Sequence, residues 1–454
     1  MPAPDGQPDG DRPRVLAIAE AANPEWFSVP LEGWSHTQAL RAVADVHLVT
    51  QVRNRDAILR AGLVEGVDFT AIDSEAVARK VNRAAGLLRG GANRGWTTVT
   101  ALSALTYPYF EMLVWQQFGD QLRAGRYDLV HRVIPLTPTA PSPLATKLKR
   151  VGVPFVLGPL NGGTPWPRGF DHVRRKEREW LSYVRPAFKL MPGYAATRRD
   201  ASAIIIGSTA TWAQTPRRWR HKCVYVPENG IDPQRFGRRR ERAAGRPIRG
   251  VFVGRLVPYK GADMLLDAAA EHMKAGHFEL TVLGDGPERA GLQAQAERLG
   301  VGDRVTFTGH VDHTAVQDHL AAADVFTFPS IREFGGAVII EAMAIGLPAM
   351  AVSYGGPAEL MTEDTAFPIE LGSREQIVAR FRGRLAEVIA DPSLIEQRSD
   401  AARRRVLTHF TWAAKARQVR GVYDWALGRT NKPDYGMPIC DAPDHDHVPS
   451  ALAA

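Results

Sequence analysis

The chain of 454 residues holds only two cysteines, Cys223 and Cys440, which rules out a disulfide framework or a cysteine-built metal centre. No apolar run approaches the ~20 residues of a membrane-spanning helix. Met1 to Pro13 is polar and rich in Pro, Gly and Asp, so a secretory signal is not expected and a cytoplasmic location follows. The first strand-to-helix turn lacks a G-x-G-x-x-G fingerprint, which speaks against a dinucleotide site there. No Asp-x-Asp pair stands in a loop suited to a divalent ion, so neither a metal nor another cofactor is expected. No nucleic-acid motif of recognisable spacing occurs, and nucleic acid is not an expected partner.

What is present is an ordinary globular composition, 44% apolar, on a chain long enough for two or three domains. The net charge of +8 comes from 57 basic and 49 acidic side chains. The basic residues gather in two stretches, 168–199 and 217–246. In the first they stand beside Trp180, Leu181, Tyr183, Val184, Phe188 and Leu190, a pattern suited either to an anionic membrane surface or to a solvated helix face.

The stretch from Asp324 to Leu360 organises the chain. Asp324 to Phe328 reads as a buried strand ended by Pro329. A polar loop follows, then an apolar helix opened by Phe334-Gly335-Gly336 and stopped at Gly346, then a second strand from Ala349 to Val352. This is a βαβ unit whose loop lies at the carboxyl end of its first strand, the edge where open α/β sheets bind ligands. The loop holds Glu333 and the helix holds Glu341. A glycine backbone can approach a ligand closely, and the amides of a helix start suit an anion. Carboxylates repel phosphate but accept hydrogen bonds from hydroxyls. A ligand with hydroxyls at both ends and phosphate between them is a sugar nucleotide. Glu341 lies among V-I-I and A-M-A, where a lone carboxylate needs a partner.

Other strand ends supply further candidates. Arg14 to Ala19 opens a Rossmann-like β-loop-α-β unit, with Gly33 to His36 in the loop before a helix over Gln38 to Ala44. Thr97 to Leu122 reads as a helix interrupted at Pro108. Asp128 to Val133 carries His131 near its end, and Val153 to Leu157 leads into the Pro- and Gly-rich loop G-P-L-N-G-G-T-P-W-P with Asn161 and Gly162. Arg249 to Val253 begins a second sheet, and Arg255 and Lys260 follow it within one strand-loop-helix turn. A guanidinium fork and a mobile ammonium at that place can neutralise a diphosphate. Leu280 to Leu283 meets a turn at Gly284, and Val305 to Thr308 ends near His310. The last helix, Phe410 to Gly428, carries apolar residues suited to docking on another surface. Thr430 to Ala454 lacks periodicity and is expected to be disordered, its D-A-P-D-H-D-H run included.

The run E-F-G-G-A-V-I-I-E, two Glu with seven residues between, followed by E-A-M-A-I-G-L-P and Y-G-G-P-A-E-L, resembles the signature of retaining glycosyltransferase family four. The resemblance covers most of Val15 to Trp425, strongly from Pro227 to Leu360 and loosely before Asp128. It implies the GT-B fold: two Rossmann-like domains facing each other across a donor cleft, with a C-terminal helix crossing back to the first domain. The implied boundaries are a disordered tail at 1–13, an acceptor domain at 14–226, a linker at 227–247, a nucleotide-sugar domain at 248–410, the crossover helix at 411–428 and a disordered tail at 429–454.

By the same resemblance Glu333 and the amides of Gly335 and Gly336 face the donor sugar, Glu341 holds the ribose, and Arg255 and Lys260 meet the diphosphate. Catalysis is expected from Arg255, Lys260 and Glu333, with donor contacts also at Gly254, Gly284, His310, Phe334 and Ala337. The first domain departs from the pattern. Of the family's Gly-rich turn only Gly33 remains, and Asn161-Gly162 stands where many members have His-Gly. Gly33, His36, His131, Asn161 and Gly162 are therefore its candidates for an acceptor or phosphate loop. The implied reaction moves a sugar from a nucleotide donor to a sugar or lipid-linked acceptor with retention and without a metal. It fits synthesis of a cell-surface polysaccharide or glycolipid, at the inner face of the plasma membrane. The rivals are a nucleotide-sugar epimerase of the same fold and a non-catalytic sugar-nucleotide-binding protein.

Overall fold

The structure, a computed structural model, describes residues 12–75, 96–177, 189, 191–240, 247–312 and 315–439, with the backbone alone for 96–105. Two parallel sheets carry the architecture. The first contains β1 (Arg14–Ala19), β2 (Asp45–Gln51), β3 (Phe69–Ile72), β4 (Leu129–Ile134), β5 (Phe155–Leu160), β6 (Ala203–Ile206) and β7 (Cys223–Tyr225), in the order β3-β2-β1-β4-β5-β6-β7. The second contains β8 (Ile248–Val253), β9 (Phe278–Leu283), β10 (Val305–Gly309), β11 (Val325–Phe328), β12 (Ala349–Val352) and β13 (Phe367–Ile369), in the order β10-β9-β8-β11-β12-β13. β1, β4, β5, β6, β11 and β12 are almost continuously buried, as expected of parallel strands covered by helices on both faces.

The strand order reverses between β1 and β4 in the first sheet and between β8 and β11 in the second. Loops at such a switch point diverge and leave a crevice. The loops after β8 and β11 carry Arg255, Lys260 and Glu333, so the expected donor residues fall at the switch point of the second sheet.

The two domains are joined twice. The linker pairs with the start of the last helix, Ile231 N–H donating to Phe410 O at 2.9 Å and Trp412 N–H to Ile231 O at 3.1 Å. The helix Trp412–Ala426, capped by the Thr411 side chain, then packs on the helix Val29–Leu40. Val419, Val422 and Tyr423 share one of its faces and complete a first-domain core with Val15, Ala17 and Leu48. The crossover helix thus lies where expected. A buried hydrogen bond locks it there. His131 Nε2 donates to Gly158 O at 2.6 Å, leaving Nδ1 to accept from the Tyr423 hydroxyl at 2.7 Å.

Four expectations need correction. The first helix begins at Val29, so Gly33 and His36 are helical; Pro30 in its first turn suits the start of a helix. The helix Trp96–Arg123 runs unbroken through Pro108. Its buried face of Tyr107, Phe110, Val114, Phe118 and Leu122 outweighs the one lost backbone bond. At the amino end, Arg12 and Pro13 are ordered, the Arg12 guanidinium donating to Arg41 O at 2.6 Å. At the other end, 429–439 is docked: Tyr435 donates to Gln418 O at 2.7 Å, and Ile439 joins the second-domain core while Arg405 donates to its carbonyl at 3.1 Å. An aperiodic segment fixed by a few side chains gives no repeating signal.

Residues 178–188 and 190 of the basic aromatic stretch, and 440–454, lie outside the described residues. Among the described residues no helix is long and apolar enough to cross a membrane.

The buried Tyr423–His131 contact sets a stability expectation. Tyr423→Phe leaves a buried imidazole nitrogen unpaired and should destabilise the fold by about 1–3 kcal/mol. Urea unfolding followed by tryptophan fluorescence would show this as a lower midpoint, and an unchanged midpoint would contradict the role assigned to the pair.

Candidate active site

A cavity of about 1000 Å³ opens between the domains. Ser28, Glu32 and Trp34 wall it on one side, with Asn161 from the end of β5. The linker supplies Glu228, Asn229 and Arg235. The opposite wall is Glu333 to Ala337 together with Glu341, and Trp412 closes one end. The size suits a small-molecule site.

The second-domain wall follows from local sequence. β11 ends at Phe328, and the chain turns through Glu333 to Gly336, whose φ of 64° starts the helix Ala337–Ala344. A side chain at Gly335 would collide with the linker, since its Cβ would lie 1.8 Å from Asn229 Nδ2 and 2.6 Å from Glu228 Oε1. Those two positions need glycine.

Glu333 is fixed at both ends. Its carboxylate pairs with the Lys260 ammonium. Its carbonyl accepts from Thr164 Oγ1 at 2.9 Å and from Gly356 N–H at 3.1 Å. Thr164 belongs to the first domain, in the Pro- and Gly-rich loop after β5. The neighbouring Arg332 is buried, donates to Thr164 O at 3.0 Å, and lies over the rings of Trp166 at 4.7 Å and Phe334 at 4.8 Å. A further buried contact joins the domains. Glu359 accepts from Thr209 Oγ1 and from the Tyr225 hydroxyl, each at 2.7 Å.

The remaining donor candidates continue along the same sheet edge, beyond the main cavity. Gly254 N–H bonds Leu283 O at 3.0 Å and Gly284 N–H bonds Gly309 O at 2.8 Å, tying the ends of β8, β9 and β10 together. Arg255 and His310 are exposed there. Phe334, Gly335, Gly336, Ala337 and Glu341 line the cavity itself. Burial pushes the Glu341 carboxyl up to about 7, with the Arg235 guanidinium pulling the other way.

On the first-domain side only Asn161 lines the cavity among the sequence candidates. Gly162 N–H is bound by Thr211 Oγ1 at 2.7 Å, and Gly33 lies against the Ala21 carbonyl. His36 is buried beside His131 and Trp412, and neither of its ring nitrogens has a hydrogen-bond partner. Burial lowers His131 to about 4, so its neutral ring serves as a joint between β4 and the crossover helix and not as a cleft residue.

Sequence reasoning missed Thr164, Arg332, Glu228, Glu359 and Lys415. Two of them, Thr164 and Glu359, sit in runs legible in the sequence, G-P-L-N-G-G-T-P-W-P and Y-G-G-P-A-E-L. Nothing in the chain order signals that these runs meet.

Comparison with known proteins agrees with this fold. Sucrose-phosphate synthase from Thermosynechococcus elongatus superposes with a TM-score of 0.58, covering 92% of this chain and 100% of that one at 18% identity. HepE of Anabaena, solved with UDP, gives 0.60 over 91% and 100% at 17% identity. The fold is the GT-B fold. Residues 234–405 match the model of the family described as "Glycosyl transferases group 1". The chain is 32% identical over 222 residues to the glycogen synthase of Mycobacterium tuberculosis, covering 48% of this chain and 52% of that protein. It is 33% identical over 209 residues to the GDP-mannose-dependent alpha-mannosyltransferase of the same species, covering 44% and 50%. It is also 32% identical over 197 residues to the 2-deoxystreptamine glucosyltransferase of Streptomyces kanamyceticus, covering 43% and 49%. The chain spans about half the length of the curated relatives it matches.

Glu341 makes the site pH-sensitive. Burial raises its carboxyl from the ordinary value of 4.5 to about 7 in the fold. The folded state therefore holds the extra proton between those values, and stability falls as pH rises across that window. Glu341→Gln removes the titration. It should be more stable than the parent at pH 8, by up to about 3 kcal/mol, with the gain shrinking toward zero at pH 5. Calorimetric melting at both pH values checks this, and a pH-independent difference would mean that Glu341 is not the group responsible.

Proposed function

We propose that the protein transfers a sugar from a nucleotide-sugar donor to an acceptor hydroxyl, with retention at the anomeric carbon and without a divalent metal. The observation that carries this reading is the meeting of Lys260, Glu333, the Gly335–Gly336 backbone and Glu341 at one edge of the second sheet. In this reading Glu341 accepts from the ribose hydroxyls, while the Glu333 carboxylate and the Gly335 and Gly336 amides meet the donor sugar. The names of the relatives, which span glucosyl and mannosyl transfer, support sugar transfer in general.

As the glycosidic bond breaks, negative charge grows on the leaving diphosphate. Cations that meet that charge stabilise the transition state more than the ground state. Arg255 supplies a planar fork at the end of β8. Lys260 supplies a point charge whose direction is set by Glu333. The acceptor attacks from the face the diphosphate leaves, and a phosphate oxygen takes its proton. A role in polysaccharide or glycolipid assembly beside a membrane belongs to the same reading.

The test is incubation of the full chain with UDP-, GDP- and ADP-sugars in excess chelator, scoring slow donor hydrolysis and transfer. Turnover of at least one donor is expected. Activity that disappears in chelator and returns with manganese or magnesium would refute the metal-free mechanism, and a free epimerised nucleotide sugar as product would favour the epimerase.

The two cations separate chemistry from holding. Arg255→Ala and Lys260→Ala should each lower kcat about 100-fold or more, the scale for removing a preorganised electrostatic donor, with donor KM rising less. Variants that keep parental kcat and change only KM would reduce both residues to donor binding.

A further inference from the structure

Resting on the reading above, we infer that the acceptor is an amine-bearing polyol whose ammonium sits between Glu32 and Glu228, and that phosphorylated acceptors are excluded. The two carboxylates come from different parts of the chain, the helix Val29–Leu40 and the linker, and both line the cavity, Glu228 beside Gly335 of the donor wall. Glu228 is 7% exposed; one of its oxygens is bound by the Asn161 side chain, and the other has no partner. Glu32 likewise has a buried carboxylate oxygen without a hydrogen bond.

Behind them lies Lys415 of the crossover helix. It is 0% exposed, and its ammonium has no hydrogen-bond partner, although it attracts both carboxylates. Burial raises both carboxyls, helped at Glu32 by repulsion from Glu228 and at Glu228 by repulsion from Glu359 and Glu333, and burial lowers the lysine. Fully charged, the trio carries one net negative charge. Buried, incompletely bonded charge is costly.

A ligand ammonium brings the missing positive charge and three donors for the open oxygens. A neutral hydroxyl satisfies an oxygen but leaves the charge. A phosphate places further negative charge against two carboxylates. The other cations on the cavity wall do not offset this. Arg53 is paired with Glu20 at 2.9 Å and lies 3.7 Å from Glu75, and Arg235 acts on Glu341 at the donor wall.

Three matched cyclic polyols test the inference: one neutral, one bearing an amine and one bearing a phosphate, each offered with a donor that the hydrolysis screen shows is turned over. The amine should give kcat/KM about 10-fold or more above the neutral compound, the scale of a charge-assisted hydrogen bond. The phosphorylated compound should be the poorest. Glu32→Gln should reduce the amine-over-neutral ratio toward one, and Glu32→Asp should retain part of it. Equal use of amine and neutral acceptors, preference for phosphate, or an amine preference untouched by Glu32→Gln would overturn the inference.

Donor hydrolysis without acceptor reads the proposed activity separately. If no donor is turned over, that reading fails, and thermal shift with the same three compounds still decides the amine site. Stabilisation by the amine compound alone supports it, and stabilisation by none, or only by the phosphate, removes it.

Discussion

Glu333 is the point on which both domains converge. Its carboxylate is held by Lys260 from the loop after β8, and its carbonyl by Gly356 of its own domain and Thr164 of the other. A carboxylate held this way is ordered before any ligand arrives, and a preordered group costs less entropy to use. The arrangement also makes the site conditional on closure. Thr164 and Trp166 reach Glu333 and Arg332 only while the first-domain loop is docked. Domain opening would release the Glu333 carbonyl on one side while leaving the Lys260 pair within the second domain. Motion would thus change the donor loop's shape more than its charge.

The other contacts between the domains are of another kind. The linker and the start of the crossover helix bond each other through their backbones, and the helix buries Val419, Val422 and Tyr423 in the first domain. The charged cluster of Glu32, Glu228 and Lys415 lies at this junction. Three elements, a first-domain helix, the linker and the crossover helix, each contribute one charge to it. An occupant that satisfies all three would also fix their relative positions, so acceptor binding and domain setting would share one free energy.

The sequence made the second domain legible because its site is local. Arg255 and Lys260 lie in one turn, and Glu333 to Glu341 in one loop and helix, so spacing alone carried the geometry. The first domain was legible as strands but not as a site. A parallel strand buried on both faces has no polar face to show which side chain looks outward. His131, a candidate for the acceptor loop, is instead bound to Tyr423 and lines no part of the cavity. The unbroken helix through Pro108 and the docked segment 429–439 were hidden for related reasons. In each, tertiary packing overrode a local rule, and packing partners distant in sequence leave no periodic trace.

The same division runs through the chemistry. Residues 234–405, matched by the family model, contain Arg255, Lys260, Glu333 and Glu341, while Glu32, Asn161, Thr164 and Glu228 lie outside it. A diphosphate and a ribose pose the same problem whatever the acceptor is: anionic oxygens need cations, and a pair of hydroxyls needs a carboxylate. Acceptors share no such common group, so the wall that meets them is free to differ in charge and shape. Here the wall formed by Glu32 and Glu228 is acidic and incompletely hydrogen-bonded, next to a lysine that belongs to neither sheet. Lys415 reaches it only because the last helix leaves the donor domain and returns to the first. The crossover thus does more than tie two domains together, since it brings Glu32 and Glu228 a buried cation that neither sheet could place there.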